Sequence, residues 1–302
     1  MIVYYRHGEI DRGLWDNCIK NSAVTKPYAY SWYLDRMAPG WEALVDDDYD
    51  SVFPVPSYVR FGVQYASTPP FLQQLGAFSP DKPASDAIVE FLDYMPEIYK
   101  LTDLCVGQKV DYPGYKVIEK TNFELNLSSH YERLLDRYTP ECRKYISNAA
   151  KKRYEITGNI TTEELADLCI SNKKSNIKGI KLRDYDRLID FMNYCIRNGK
   201  GRIAGVRATR KRVVYGIFLV QIPGSITILL EANTAASIEK HIGYFVINEI
   251  IKENASTAAI LDFAGASDNL AVPKGLSFGG INVPFYRIYR NRLFWPVRIM
   301  KE

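Results

Sequence analysis

One stretch limits what this chain can fold into more than any other. Ser225 to Glu231 is a strand-like run, Ser237 to Asn254 a helix-like run, and Ala258 to Phe263 a second strand-like run that closes on Asp262-Phe263-Ala264-Gly265. Strand, helix and strand in that order predict a crossover between two parallel strands. Ligands of such a unit sit at the strand ends and at the helix N-terminus. The run ILDFAGASDNLAVPKGLSFGG, Ile260 to Gly280, is therefore the first place to look for a site.

The rest of the chain sets bounds on that unit. With 302 residues, 47% of them hydrophobic and 25% charged, the chain suits two ordinary globular domains or one large one. No apolar run approaches the length of a membrane span, so membrane insertion is not expected. The opening MIVYYRHGEIDRG lacks the basic and apolar regions of a signal peptide, and a cytoplasmic location is the default. Cys18, Cys105, Cys142, Cys169 and Cys195 are scattered, as are His7, His130 and His241. Without paired ligands at close spacing no structural zinc, or other metal, is expected.

Charge divides the chain. Residues 1–125 hold 11 Lys/Arg against 18 Asp/Glu, a net −7, and residues 126–302 hold 28 against 17, a net +11. Such a split predicts two units, the basic one facing an anionic ligand, or a soluble surface that is merely uneven. The expected domains are 1–125 and 126–302.

In the first, a strand at Ile2 to Arg6 precedes a helix with Ile10, Leu14, Cys18 and Ile19 on one face. Trp41 to Val45 and Ser51 to Val55 read as a hairpin through Asp46-Asp47-Asp48, with Pro54 and Pro56 marking an edge or a strand end. Phe61 to Ser67 is a further strand, Ala84 to Tyr99 a helix, Leu101 to Val106 a strand, and Tyr115 to Leu127 one long strand or two short ones. The uncharged STPPFLQQLGAFSP reads as a loop lining a cleft or packed between domains.

The second half opens with helices at His130 to Tyr138 and Pro140 to Tyr154, the latter with Thr139 as N-cap and Pro140 in the first helical position. Helices at Thr161 to Ser171 and Tyr185 to Asn198 follow. Strands at Gly201 to Thr209 and Arg212 to Gln221 lead into the Ser225–Phe263 unit. A hairpin of Asn282 to Tyr289 and Leu293 to Met300 is expected to end the chain.

The element order from Thr161 to Met300 looks like the GNAT acyltransferase fold. Three runs are similar to signatures of its FemAB-like branch: the helix RYTPECRKYISNAAKK, the strand end Leu261 to Gly265, and Phe278-Gly279. Trp32, Trp41, Pro54 and QQLGAFS (Gln73 to Ser79) fit an N-terminal copy in the same group. The resemblance covers nearly the whole chain. It implies an α/β (α+β) protein of two GNAT-like domains, each a mixed, mostly antiparallel sheet flanked by helices. It also implies transfer of an acetyl or aminoacyl group from acyl-CoA, such as acetyl-CoA, or from an aminoacyl-tRNA. The acceptor it implies is an amine of a small or nucleotide-linked molecule.

Carried onto this sequence, the acyl-donor motif falls on Lys240, His241, Ile242, Gly243 and Tyr244. It departs from the family pattern: one glycine is present, Lys replaces Arg, and Phe245 stands where a small residue belongs. Glu231 lies where some GNAT enzymes hold a carboxylate base, and is either that base or a hydrogen-bonding carboxylate. Asp262 orients an acceptor amine or caps the turn after it. In FemAB-like aminoacyltransferases a Phe-Lys pair stands shortly before a Phe, and here Pro273-Lys274 precedes Phe278 at an altered spacing. Lys274 neutralises an oxyanion or phosphate, or is an exposed loop lysine.

Arg143, Lys144, Asn148 and Lys151, with Ser147 and Lys152, share one helix face that suits phosphates of a nucleotide-linked acceptor, a coenzyme or tRNA, or simply meets solvent. Lys173, Lys174, Lys178, Lys181 and Arg183 form a second basic group. A catalytically silent GNAT-like module that binds an anionic ligand is the alternative to an enzyme. A general nucleic-acid-binding protein ranks behind both, because the aromatic residues are spread through core positions.

Overall fold

The computed structural model describes residues 1–81, 84–171, 180–208, 212–264 and 273–294. Gly265, Lys173, Lys174, Lys178, the Arg210-Lys211 turn and the last residues of the expected C-terminal strand lie outside them. The chain forms two compact units. One is Met1–Thr121 with Pro284–Glu302, and the other is Asn122–Val283.

In the first unit β1 (Ile2–Tyr5), β2 (Glu42–Asp46) and β3 (Ser51–Val55) make an antiparallel sheet in that order. Pro54 therefore sits on an edge strand, where its missing N–H costs no ladder bond. Helix α1 (Arg12–Asn21) starts at Asp11, whose carboxylate accepts from the amides of Gly13 and Leu14, and α2 (Ser31–Met37) follows it. Strand β4 (Ser57–Arg60) was not expected from the sequence; it pairs antiparallel with β5 (Val63–Ser67). Helix α3 (Ala84–Asp93) is shorter than expected, because Tyr99 already belongs to β6 (Tyr99–Val106). Strand β7 is Lys116–Lys120.

The uncharged loop is tied by backbone hydrogen bonds to strands of the first unit. Leu75 donates its amide to Cys105, and Phe78 and Val52 exchange both backbone bonds. The loop thus stitches β3 to β6 inside one unit.

The second unit carries a seven-stranded sheet. Its strands are β8 (Phe123–Asn126), β9 (Ile156–Thr157), β10 (Gly201–Arg207), β11 (Val213–Ile222), β12 (Ser225–Asn233), β13 (Ile260–Asp262) and β14 (Ile281–Asn282), in the spatial order β14-β8-β13-β12-β11-β10-β9. Neighbours are antiparallel except β12 and β13, which are parallel as the crossover requires. Helices α4 (Tyr131–Asp136), α5 (Pro140–Ala150), α6 (Thr162–Ser171) and α7 (Leu182–Arg197) flank it.

The single crossover helix expected from the sequence is two helices, α8 (Ala235–Glu239) and α9 (Ile242–Asn254). His241 breaks them with φ +54, a left-handed conformation that ends one helix and starts the next. The face of α9 that carries Val246, Ile247, Ile250 and Ile251 joins Ile217, Leu219, Ile226 and Leu261 of the sheet in one core. A short helix, α10 (Lys274–Ser277), precedes β14.

The first strand expected of the C-terminal hairpin, Asn282 to Tyr289, is not continuous. Pro284, with no N–H, separates β14 from β15 (Phe285–Asn291). Strand β15 instead lies in the first unit between β6 and β7, completing the order β4-β5-β6-β15-β7. Buried Tyr286 and Ile288 account for this, since they extend the core of Leu104, Val106 and Phe91. The Tyr115–Leu127 run is likewise shared between units, β7 in one and β8 in the other. This redistribution tempers the charge split. The first unit holds 16 Lys/Arg and 18 Asp/Glu, a net −2, and the second 23 and 17, a net +6.

Candidate functional site

Strands β12 and β13 pair only from Ser225↔Ile260 to Thr227↔Asp262. Beyond that point β13 stops while β12 runs on to Asn233. Two local features set the divergence. The register between β11 and β12 passes from Phe218↔Leu230 to Leu219↔Ile228, so Leu229 is an extra residue, and a bulge of this kind bends and twists its strand. On the other side, buried Asp262 ends β13: its Oδ1 accepts from Asn122 Nδ2 at 3.0 Å and from the Ala264 amide at 2.8 Å. The gap is lined by Phe123, Ile228, Ile247, Phe263, Glu231 and Lys274, and encloses about 10 Å³, roughly the room of one water.

Lys274 and Glu231 meet in this gap. Lys274 opens α10 and its Nζ donates to Glu231 Oε1, with the two side chains only 12% and 11% exposed. The same ammonium lies 5.9 Å from the centroid of the Tyr244 ring. Lys274 is thus no exposed loop lysine, the other reading its surroundings in the sequence allowed. A half-dry ion pair is a costly arrangement unless each charge keeps its partner. Gly243, in the first turn of α9, makes the pair possible: a β-carbon there would lie 2.8 Å from Glu231 Oε1 and 2.9 Å from the Tyr215 ring. Gly275 does the same for α10, since its β-carbon would fall 2.3 Å from that of Phe123.

The segment Lys240 to Tyr244 forms the junction of α8 and α9. Lys240 is exposed, whereas Ile242, Gly243 and Tyr244 are buried. The one glycine of the expected donor motif faces Glu231 and Tyr215, so close packing alone accounts for it. Tyr244 stacks on Phe278 at 5.7 Å, and Phe278 on Phe263 at 6.1 Å. Phe263, which lines the gap, thus ends a row of three stacked rings. His241 stacks flat on Tyr145, with centroids 3.7 Å apart, and burial pushes its imidazole below the usual pKa.

Helix α5 presents Arg143, Lys144, Asn148 and Lys151 to solvent, all exposed, while Cys142, Tyr145, Ile146 and Ala149 face inward. Thr139 caps it, accepting from the Cys142 amide at 3.2 Å. Among the described residues no carboxylate pairs with these cations. Tyr145 links this helix to the α9 N-terminus through His241, and sequence reasoning passed over it; its place on the inner face, opposite the cations, was the available signal. Asn122 was missed too, because a lone Asn between two strands carries no pattern.

No family model matches the sequence, and no curated protein matches it. Solved structures do. FemX aligns over 92% of this chain and 96% of its own, with a TM-score of 0.64 at 12% identity. A conserved protein of unknown function from Bacteroides thetaiotaomicron VPI-5482 aligns over 96% and 99%, with a TM-score of 0.58 at 12% identity. L-PGS from Bacillus licheniformis aligns over 96% and 95%, with a TM-score of 0.55 at 12% identity. At such identity the likeness is one of fold. The chain has the mixed α/β architecture of these proteins over nearly its whole length, as its element order led us to expect. Among the described residues no helix is long and apolar enough to cross a membrane.

Proposed function

We propose that the chain is a FemAB-like N-acyltransferase of two GNAT-like domains, with its reaction centre in the gap between β12 and β13 of the second unit. The observation that carries this reading is the Glu231–Lys274 pair, held where the two parallel strands part. The donor is an acyl-CoA or an aminoacyl-tRNA, and the acceptor an amine. In the reaction the amine nitrogen attacks the acyl carbonyl, and the bond to the thiol sulfur or ribose oxygen breaks. Glu231 takes the proton that the amine gives up and returns it to the leaving sulfur or oxygen, which requires it to exchange Lys274 for the substrate. Lys274 then faces the carbonyl oxygen and stabilises its developing charge. The exposed face of α5, with Arg143, Lys144, Asn148 and Lys151, meets phosphates of the donor or of a nucleotide-linked acceptor. Lys240 and the first turn of α9, His241 to Tyr244, border the donor. Asp262 serves this centre by fixing the end of β13.

The test is transfer itself. Purified protein is incubated with labelled acetyl-CoA or with charged tRNA and a panel of amines, and products are read by mass spectrometry. Transfer that is lost in Lys274→Met supports the proposal. Absence of both transfer and donor binding overturns it, and donor or phosphate binding without any transfer favours the silent binding module.

A further inference from the structure

The β4–β5 hairpin of the first unit turns through two residues, Phe61 and Gly62, between the paired Arg60 and Val63. Their φ values are +51 and +73, the mirror-image turn whose first position suits Asn, Asp or Gly. A bulky ring with positive φ is an outlier that costs on the order of 1 kcal/mol or more. The fold gains no burial from it, for Phe61 is 90% exposed. Its ring contact is with Arg60, whose guanidinium carbon lies 5.2 Å from the ring centroid.

The surroundings continue the pattern. Strand β4 is a sheet edge, and its Val59 is 67% exposed. Beside the turn a groove of about 620 Å³ is lined by Gly62, Val63, Ile98, Leu293 and Phe294, and Phe294 is 67% exposed. Lys100 and Arg292 line the same groove. One carboxylate joins them, Glu97, 3.7 Å from Arg292. The result is a set of protruding apolar side chains in a collar of three cations, Arg60, Lys100 and Arg292.

Apolar tips ringed by Lys and Arg fit an anionic lipid surface, where rings enter the headgroup–acyl boundary and cations meet phosphates. A second copy of the chain fits less well, because a two-fold contact would set the cationic collar against itself. We propose that this end of the first unit docks peripherally on anionic bilayers, with Phe61 and Val59 entering the interface. The proposal does not rest on the acyltransferase reading.

The experiment uses the full chain and sedimentation with phosphatidylcholine vesicles, with and without phosphatidylglycerol. Phe61→Asn places in the turn the residue its backbone prefers, so the variant folds at least as well as the parent. The expected result is binding to phosphatidylglycerol vesicles that weakens with salt and falls at least about tenfold in Phe61→Asn. Phe61→Trp should show a blue-shifted emission on those vesicles and quenching by brominated chains. Lack of binding by the parent, equal binding by Phe61→Asn, or unshifted Phe61→Trp emission overturns the proposal. So does a lipid-free dimer that Phe61→Asn dissolves, which assigns the surface to a second copy.

Discussion

A β-carbon on Gly243 would lie 2.8 Å from Glu231 Oε1, closer than any settled contact allows. The neighbour on the other side is the Tyr215 ring at 2.9 Å, so Glu231 is the group with freedom to yield. Gly243→Ala should cost about 1–3 kcal/mol, the usual range for overpacking. The larger effect should be on transfer, because a displaced Glu231 releases Lys274. Denaturant unfolding and a transfer assay on the same preparation check this, with activity expected to fall further than stability.

The ion pair itself predicts an asymmetry between single and double variants. Glu231→Gln leaves Lys274 charged and largely buried, and Lys274→Met leaves Glu231 in the same state. Each should destabilise by about 3 kcal/mol, since a buried charge has lost its partner. The double variant should recover most of that. Transfer should stay at least about 100-fold down in all three, because the proposed reaction assigns the proton to Glu231 and the oxyanion to Lys274. A double variant as unstable as the singles would mean the pair is not what holds the gap.

Asp262 should behave as a positioning residue. Its Oδ1 accepts from Asn122 and from the Ala264 amide, and Asp262→Asn keeps an acceptor oxygen there. That variant should retain transfer within a few-fold. Asp262→Ala leaves the buried Asn122 amide without this acceptor and should cost about 1–3 kcal/mol. A collapse of kcat in Asp262→Asn with unchanged stability would instead place the carboxylate in the chemistry.

His241 gives a pH prediction. Burial lowers its folded pKa, so its neutral form is the one the fold favours. The stability this contributes is present above the unfolded pKa and is lost as pH falls through the folded one. The ring is partly exposed, so the slope should be small. NMR titration should find His241 below the ordinary histidine value, and Tyr145→Ala, which removes the stacked ring, should move it back up.

These residues also show how far the sequence could be read. The parallel crossover was legible because β12 and α9 carry long apolar patterns, and the cap at Thr139-Pro140 because its chemistry is local. Glu231 and Lys274 were each visible as candidates, but their meeting was not. It depends on a bulge at Leu229 and on two glycines that let helices approach, none of which leaves a periodic trace. The break at His241 was hidden for a related reason: a left-handed residue between two short helices keeps the helical spacing of its neighbours. Strand β15 was placed in the wrong unit because pairing over such a distance is decided by which core its Tyr286 and Ile288 complete.

That misplaced strand supplies the last prediction. Ile288 is fully buried between Leu104 of β6 and Val117 of β7, its partners in the register. Ile288→Ala should cost about 2–5 kcal/mol, the transfer energy of the lost methyl groups plus the cavity they leave. The loss belongs to the first unit, although Ile288 follows the whole of the second unit in the chain. Hydrogen exchange read by mass spectrometry should therefore show lower protection in β5, β6 and β7. Protection in β10, β11 and β12 should stay unchanged, even though those strands stand nearer to Ile288 in sequence. Equal loss in both sets would mean that the two units unfold as one.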